Sequence, residues 1–174
     1  VSSKELKKFF GLVGTEIIKK LFPNLNNNHV IKLQKASHEI FINETYKYLK
    51  AIRGIKKTLT KLKKKYKLVL ISNCSKKEIF ITLKTVKISR RMFSLLIGND
   101  DIKDPKPAPD EVYFAERKMK QKAKYIIGDS IYDVIAGKKA KVKTIAVLTG
   151  NHSRNQLKNA DFILKNFNEV LKIL

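Results

Sequence analysis

The 174-residue sequence predicts an α/β protein, a parallel sheet with helices on both faces, preceded by an all-helical segment. Three observations point there. From about residue 51 onward, short apolar runs of the buried-strand type alternate with stretches of helical pattern, which is how right-handed βαβ units read in sequence. Residues 1–50 carry helical periodicity and offer no strand candidate. Hydrophobic residues make up 43% of the chain and charged residues 30%, enough apolar content for a packed core and too much for a disordered chain. The expected division is a helical unit over 1–50 and a layered core over 51–174.

The elements follow in order. Ser2 or Ser3 caps a first helix, Lys4 to Phe10, with Glu5 near its positive end. Gly11 and Gly14 punctuate, and a second helix runs from Glu16 to Leu21. Pro23 to Asn28 is a loop. Val30, Leu33, Ile40, Phe41, Tyr48 and Leu49 then recur at helical spacing. Ile55, Leu59 and Leu62 mark a helix that ends in the lysine run Lys61 to Lys65. Leu68–Ile71 is a buried strand, and Ser75 with Glu78 is a capping box that opens a helix to about Lys87. Leu95–Ile97 is a second strand, followed by a helix from Pro109 or Asp110 to about Lys120. Tyr125–Ile127 is a third, followed by a helix near Val134 to Ala140. Thr144–Leu148 is a fourth, with a helix expected near Ser153 to Lys158. Asp161–Leu164 adds a short strand, and Asn166 with Glu169 caps a final helix.

Composition narrows the class. The chain has 38 Lys and Arg against 15 Asp and Glu, a formal charge of +23. Such a charge admits a basic module that binds nucleic acid, because lysines displace counterions from phosphate backbones. Yet 33 of the 38 are Lys and only 5 are Arg, the residue favoured for bidentate phosphate and base contacts. The lysines are also spread along the chain, and no aromatic-studded sheet signature accompanies them. The charge is therefore taken as background, and nucleic acid is not the expected partner. A single cysteine, Cys74, excludes a disulfide framework and fits a reducing, cytoplasmic setting. No apolar run approaches the roughly 18 residues a membrane span needs, and no signal peptide is expected.

In an open parallel sheet, sites lie at the carboxyl ends of strands. Three clusters stand there. After the first strand, Ser72-Asn-Cys-Ser75 offers hydroxyl, amide and backbone N–H groups at a helix mouth, suited to an anion and equally to an ordinary capped turn. After the second, prolines on both sides of Lys106 hold that ammonium in a defined loop, where it can neutralise phosphoryl oxygens or simply lie at the surface. After the third, Asp129 and Asp133 are spaced to aim two carboxylates into one space, which suits Mg²⁺, while Ser130 and Asp133 also suit a helix cap. Phosphoryl transfer asks for all three together.

These residues resemble the haloacid dehalogenase superfamily, in particular its phosphoglycolate-phosphatase-like branch. Ile71-Ser-Asn73, Lys106-Pro-Ala-Pro-Asp110 and Gly128-Asp-Ser-Ile-Tyr-Asp-Val-Ile-Ala-Gly137 are similar to its second, third and fourth motifs, and residues 1–50 to its small helical cap. The resemblance implies a phosphatase of small phosphorylated metabolites. Ser72 would bind the phosphoryl group, Asn73 would shape the same turn, Lys106 would balance charge, and Asp129 and Asp133 would hold Mg²⁺. The family's first motif is an Asp-x-Asp after the first core strand, ahead of the cap. No Asp precedes Asp100 here, and position 1 is Val. The expectation is a core without its central strand, with a gap of about 9.5 Å between the strands ending at Ser72 and Asp129. The nucleophile and general acid would be absent too, as in an enzyme shortened at its start. The alternative is a phosphate- or Mg²⁺-binding subunit completed by a partner's strand.

Overall fold

The computed structural model describes residues 1–174, the side chains of Ser3 and Lys4 excepted. The first fifty residues hold α1 (Ser3–Lys7), α2 (Gly14–Leu21) and α3 (Asn27–Asn43), then a 3₁₀ turn at Thr45–Tyr48. Ser2 caps α1, and Glu5 bonds back to the Ser2 N–H. The helix ends at Lys7, earlier than Phe10, because the chain turns through Gly11 at φ +103°, a left-handed conformation. Asn26 caps α3 by accepting from the His29 N–H, so the helix starts inside the expected loop. It also stops at Asn43, short of Tyr48.

The remainder alternates as expected: α4 (Ile55–Lys63), β1 (Val69–Ile71), α5 (Lys76–Thr85), β2 (Leu95–Ile97), α6 (Asp110–Met119), β3 (Tyr125–Gly128), α7 (Ile131–Lys139), β4 (Lys143–Val147) and β5 (Phe162–Leu164). The Ser75–Glu78 capping box opens α5. Two expected helices are not formed. Residues 153–158 make turns, in which Ser153 and Gln156 bond reciprocally around one i to i+4 hydrogen bond, Leu157 N to Ser153 O. Of residues 153–158 only Leu157 is buried, so little apolar face holds a longer helix there. The last segment, Phe167–Lys172, is a 3₁₀ helix capped by Asn166.

Every strand pairing is parallel, but the strands form two sheets. β1 pairs β2, and β3–β4–β5 form the other. Side chains of β3 alternate between two cores. Tyr125 and Ile127 face Leu62 of α4 with Ile145 and Val170. Ile126 turns the other way, onto Val112 of α6 and Val142, where Ile71 of β1 also packs. Helices therefore cover both faces. Between the β1 and β3 edges lies a cleft of about 670 Å³, lined by both strands. The gap expected from sequence is present.

β5 is fastened to β4 by Asp161. Its carboxylate accepts from the Thr144 N–H (2.8 Å), the Thr144 hydroxyl (2.7 Å) and the Lys138 ammonium (2.9 Å). The Lys138 and Thr144 bonds hold its pKa far below the carboxylate range. A depressed folded pKa contributes stability above the unfolded pKa of about 3.9, and that contribution is lost as the pH falls. Asp161→Ala is expected to cost about 2–3 kcal/mol at pH 7, because the buried Thr144 N–H loses its acceptor. Urea titrations should show this difference shrinking steadily below about pH 4. A pH-independent difference would contradict the account.

Candidate active site at the carboxyl ends of the strands

Lys106 is the centre of the site. It follows β2 on a loop with a cis Lys106–Pro107 bond and is 7% exposed. Its ammonium lies 3.1 Å from Asp133 Oδ1 and 3.4 Å from Glu111 Oε2, and it reaches the Ile71 carbonyl at the end of β1 (3.4 Å). Burial pulls the Lys106 pKa down, but Asp133 and Glu111 outweigh it and raise it, so the ammonium stays charged. Asp133 lies in the first turn of α7 and does two jobs. Oδ2 accepts from the Ser130 N–H (3.1 Å), completing a capping box, while Oδ1 faces Lys106. The helix cap and the carboxylate pointed at the site are thus the same residue.

Asp129 ends β3. Burial and then the neighbouring Asp133 charge raise its pKa. Gly150 lies so close that a Cβ there would overlap the Asp129 carboxyl, and a Cβ at Gly128 would overlap Asp133. Both carboxylates depend on neighbours without side chains. Tyr132 stacks edge-on against His152 at 5.8 Å, and the buried His152 also acts on Asp129 electrostatically.

Ser72 continues β1. Its N–H donates to Ile97 O (3.0 Å), and its hydroxyl accepts from the Cys74 N–H (3.2 Å), which sets the turn. Asn73 ties three segments. Its Nδ2 donates to Gly11 O (2.7 Å) and Lys106 O (2.8 Å), while Asn99 donates to its carbonyl (2.9 Å). Gly11 comes from the first fifty residues and passes against Ser130 and Tyr132. Asn73 thus anchors that helical segment over the site and ties the Lys106 loop to the turn after β1. Cys74 is exposed in the same turn.

Asp129 and Asp133 are the residues that could hold a hard divalent cation, Asp133 being already engaged by Lys106 and the Ser130 N–H. Mg²⁺ ordinarily takes one or two carboxylates from a protein and fills its other positions with water and substrate phosphate. Asp129 and Asp133 are two carboxylates of that kind, each on the loop or helix that follows β3. Among the described residues no three His, Cys, Asp or Glu side chains converge on one point.

A family model described as haloacid dehalogenase-like hydrolase matches residues 1–147. The chain belongs to that family. Within the haloacid dehalogenase-like hydrolases, its relatives include the pyrophosphatase PpaX of Oceanobacillus iheyensis. That protein is 26% identical over 180 residues, which cover 99% of this chain and 81% of the relative. The phosphoglycolate phosphatase of Photorhabdus laumondii is 31% identical over 86 residues, 47% of this chain and 37% of its own length. A haloacid dehalogenase-like hydrolase structure from Bacteroides fragilis matches 98% of this chain and 83% of its own, with a TM-score of 0.91 at 19% identity. A hydrolase from Pseudomonas syringae matches with a TM-score of 0.83, also at 19% identity. The fold of the family is therefore shared throughout the chain.

Sequence reasoning missed three participants: Glu111, Gly150 and His152. Glu111 is fully buried, and neither carboxyl oxygen has a hydrogen-bond partner within bonding geometry. Burial raises its pKa, and Lys106 offsets that only in part. In sequence it is simply the second acid of a helix start.

Proposed function

We propose that this chain is the cap and core of a Mg²⁺-dependent phosphomonoester hydrolase acting on small phosphorylated metabolites. Residues 1–50 serve as the cap and 51–174 as the core. The observation that carries the reading is the convergence of Lys106, Asp133 and Glu111 on one buried charge cluster at the carboxyl ends of β1 and β3. Lys106 would neutralise phosphoryl oxygens, and the Ser72 hydroxyl would position them. Asp129 and Asp133 would hold Mg²⁺, which supplies charge neutralisation at the phosphoryl group when bound. The names of the pyrophosphatase and phosphoglycolate phosphatase relatives support a small phosphate substrate.

These 174 residues contain no Asp-x-Asp. The chain alone should therefore not turn over p-nitrophenyl phosphate. A fusion that places an apolar strand ending in Asp-x-Asp ahead of Val1 should hydrolyse it, and removal of Mg²⁺ with a chelator should stop the reaction. In that fusion Ser72→Ala should lower kcat/KM by about 10²-fold. An inactive, folded fusion would overturn the phosphatase reading. Turnover by the unfused chain would show that the reaction needs no such motif.

A further inference from the structure

The basic residues are spread along the sequence but gathered by the fold. Four segments carry the chain from the end of a helix to the start of a strand: 63–68 to β1, 84–94 to β2, 117–124 to β3 and 138–143 to β4. Together they hold 17 Lys and Arg, all exposed, and no Asp or Glu. The segments that follow the strands, 72–78, 98–111 and 129–133, hold eight Asp and Glu against four Lys. Positive charge is therefore concentrated at the end of the core opposite Lys106 and the candidate active site.

The four segments make one surface. The Ser94 N–H donates to Leu68 O (2.7 Å), and Lys63 Nζ donates to Arg91 O (2.5 Å). Tyr66 stacks edge-on against Tyr125 with ring centres 6.3 Å apart, and Tyr125 lies beside Lys143 in the β3–β4 register. Among the described residues, only Lys122, Lys138 and Lys143 of the seventeen form ion pairs, with Glu116 and Asp161.

Helix dipoles account for part of this, since a cation in the last turn of a helix is favourable. They do not account for the lysines beyond the helix ends. Three of those, Lys87, Lys120 and Lys141, have φ of 53°, 51° and 58°. Among the described residues they are the only ones other than glycine with left-handed backbone, and glycine is what such a position favours. Each time, the side chain held there against the backbone preference is an exposed ammonium on this face. Strain of this kind persists where the side chain has a use.

We infer that this face binds the phosphate backbone of a nucleic-acid duplex without reading its sequence. Its 14 Lys and 3 Arg favour point-charge contacts with phosphates over bidentate contacts with bases. No large exposed apolar side chain lies in the four segments, so the face has nothing to insert into a bilayer. A duplex presents rows of phosphates, whereas a single small phosphate would meet only one or two of these lysines. The sequence put the charge in the background because the gathering exists only in three dimensions. The face lies away from the candidate active site, so this binding does not depend on the phosphatase reading.

The test titrates the 174-residue chain into fluorescently labelled RNA and DNA duplexes of about 20 base pairs, read by anisotropy from about 50 to 200 mM salt. Both should bind, because the contacts are to phosphates, and the ratio of the two affinities names the source. Log affinity should fall against log salt with a slope of about −5 or steeper, as six or more engaged phosphates require. Lys87→Gly, Lys120→Gly and Lys141→Gly together should weaken binding by about tenfold or more and flatten the slope by about 2–3. The melting temperature should hold or rise in that variant, since glycine relieves the left-handed backbone. A control of equal net charge, Lys32→Gln, Lys35→Gln and Lys47→Gln in the first fifty residues, should change binding less than about threefold. Equal losses in the two triple variants would mean that overall charge, not this face, attracts the duplex, and would overturn the inference. A slope shallower than about −2 would do the same. So would tighter capture by phosphatidylserine vesicles than by either duplex. Phosphatase activity enters none of these readouts.

Discussion

Lys106→Met is expected to destabilise the chain by about 3–5 kcal/mol, the usual cost of leaving a buried charge without its partner. The Lys106 side chain is 8% exposed, and its ammonium stands between Asp133, whose side chain is 14% exposed, and Glu111, which is fully buried. Methionine matches the length of the lysine stem, so packing is largely kept and the electrostatic part dominates the loss. Asp133 retains the Ser130 N–H. Glu111 retains nothing comparable. The double variant Lys106→Met, Glu111→Gln should therefore be clearly more stable than Lys106→Met alone, and a double-mutant cycle from urea unfolding measures the difference. Strict additivity, or a loss below about 1 kcal/mol, would show that the cluster does not hold Lys106 as its geometry indicates.

Gly128→Ala should lower the melting temperature by roughly 5–10 °C, corresponding to about 2–3 kcal/mol in a chain of this size. The backbone at Gly128 is ordinary strand, so the effect is not one of φ. A Cβ there would enter the space of the Asp133 carboxyl group, which is held between Ser130 N–H and Lys106 and has no other place to go. The same substitution should abolish Mg²⁺-dependent turnover in the fused enzyme. Shortening the neighbour with Asp133→Ala removes the overlap, so the double variant should be less destabilised than the sum of the two single changes. If calorimetry shows the two losses adding in full, the overlap is not the cause.

Much of this was legible in the chain. Strand–helix alternation predicted β1 to β4, and the capping boxes at Ser75 and Ser130 were local patterns that folded as written. Ser72 and Asp129 were singled out because each ends an apolar run, Lys106 for the prolines beside it and Asp133 for its spacing from Asp129. Ser72 and Asp129 directly follow β1 and β3, Lys106 lies on the loop after β2, and Asp133 lies in the first turn of α7. The weaker inferences failed where the signal was not local. A helix at 153–158 had only a short, mostly polar pattern behind it, and with Leu157 alone buried only one turn forms. Glu111 was invisible because an acid in the first turn of a helix normally faces water and the helix dipole. Only the third dimension turns it toward Lys106. Gly150 was likewise unreadable, since what requires it is the Asp129 side chain from a distant part of the sequence, whereas Gly11, already marked as a break, also needs glycine for its φ of +103°.

The separation of β1–β2 from β3–β4–β5 has a consequence for how the molecule unfolds. No ladder hydrogen bond crosses between the two sheets, and the three-stranded one is built from consecutive units, with α7 linking β3 to β4. What joins the halves is side-chain packing, chiefly Ile71 against Val112 and Ile126, and the charge cluster around Lys106. Such contacts loosen at lower free energy than a continuous ladder. The β3–β5 half should persist as a folded unit after β1, β2 and α5 have opened. Amides of Ile126, Ile145 and Ala146 should then exchange more slowly, and melt later, than those of Leu70 and Leu96, so the chain behaves as two cooperative units rather than one.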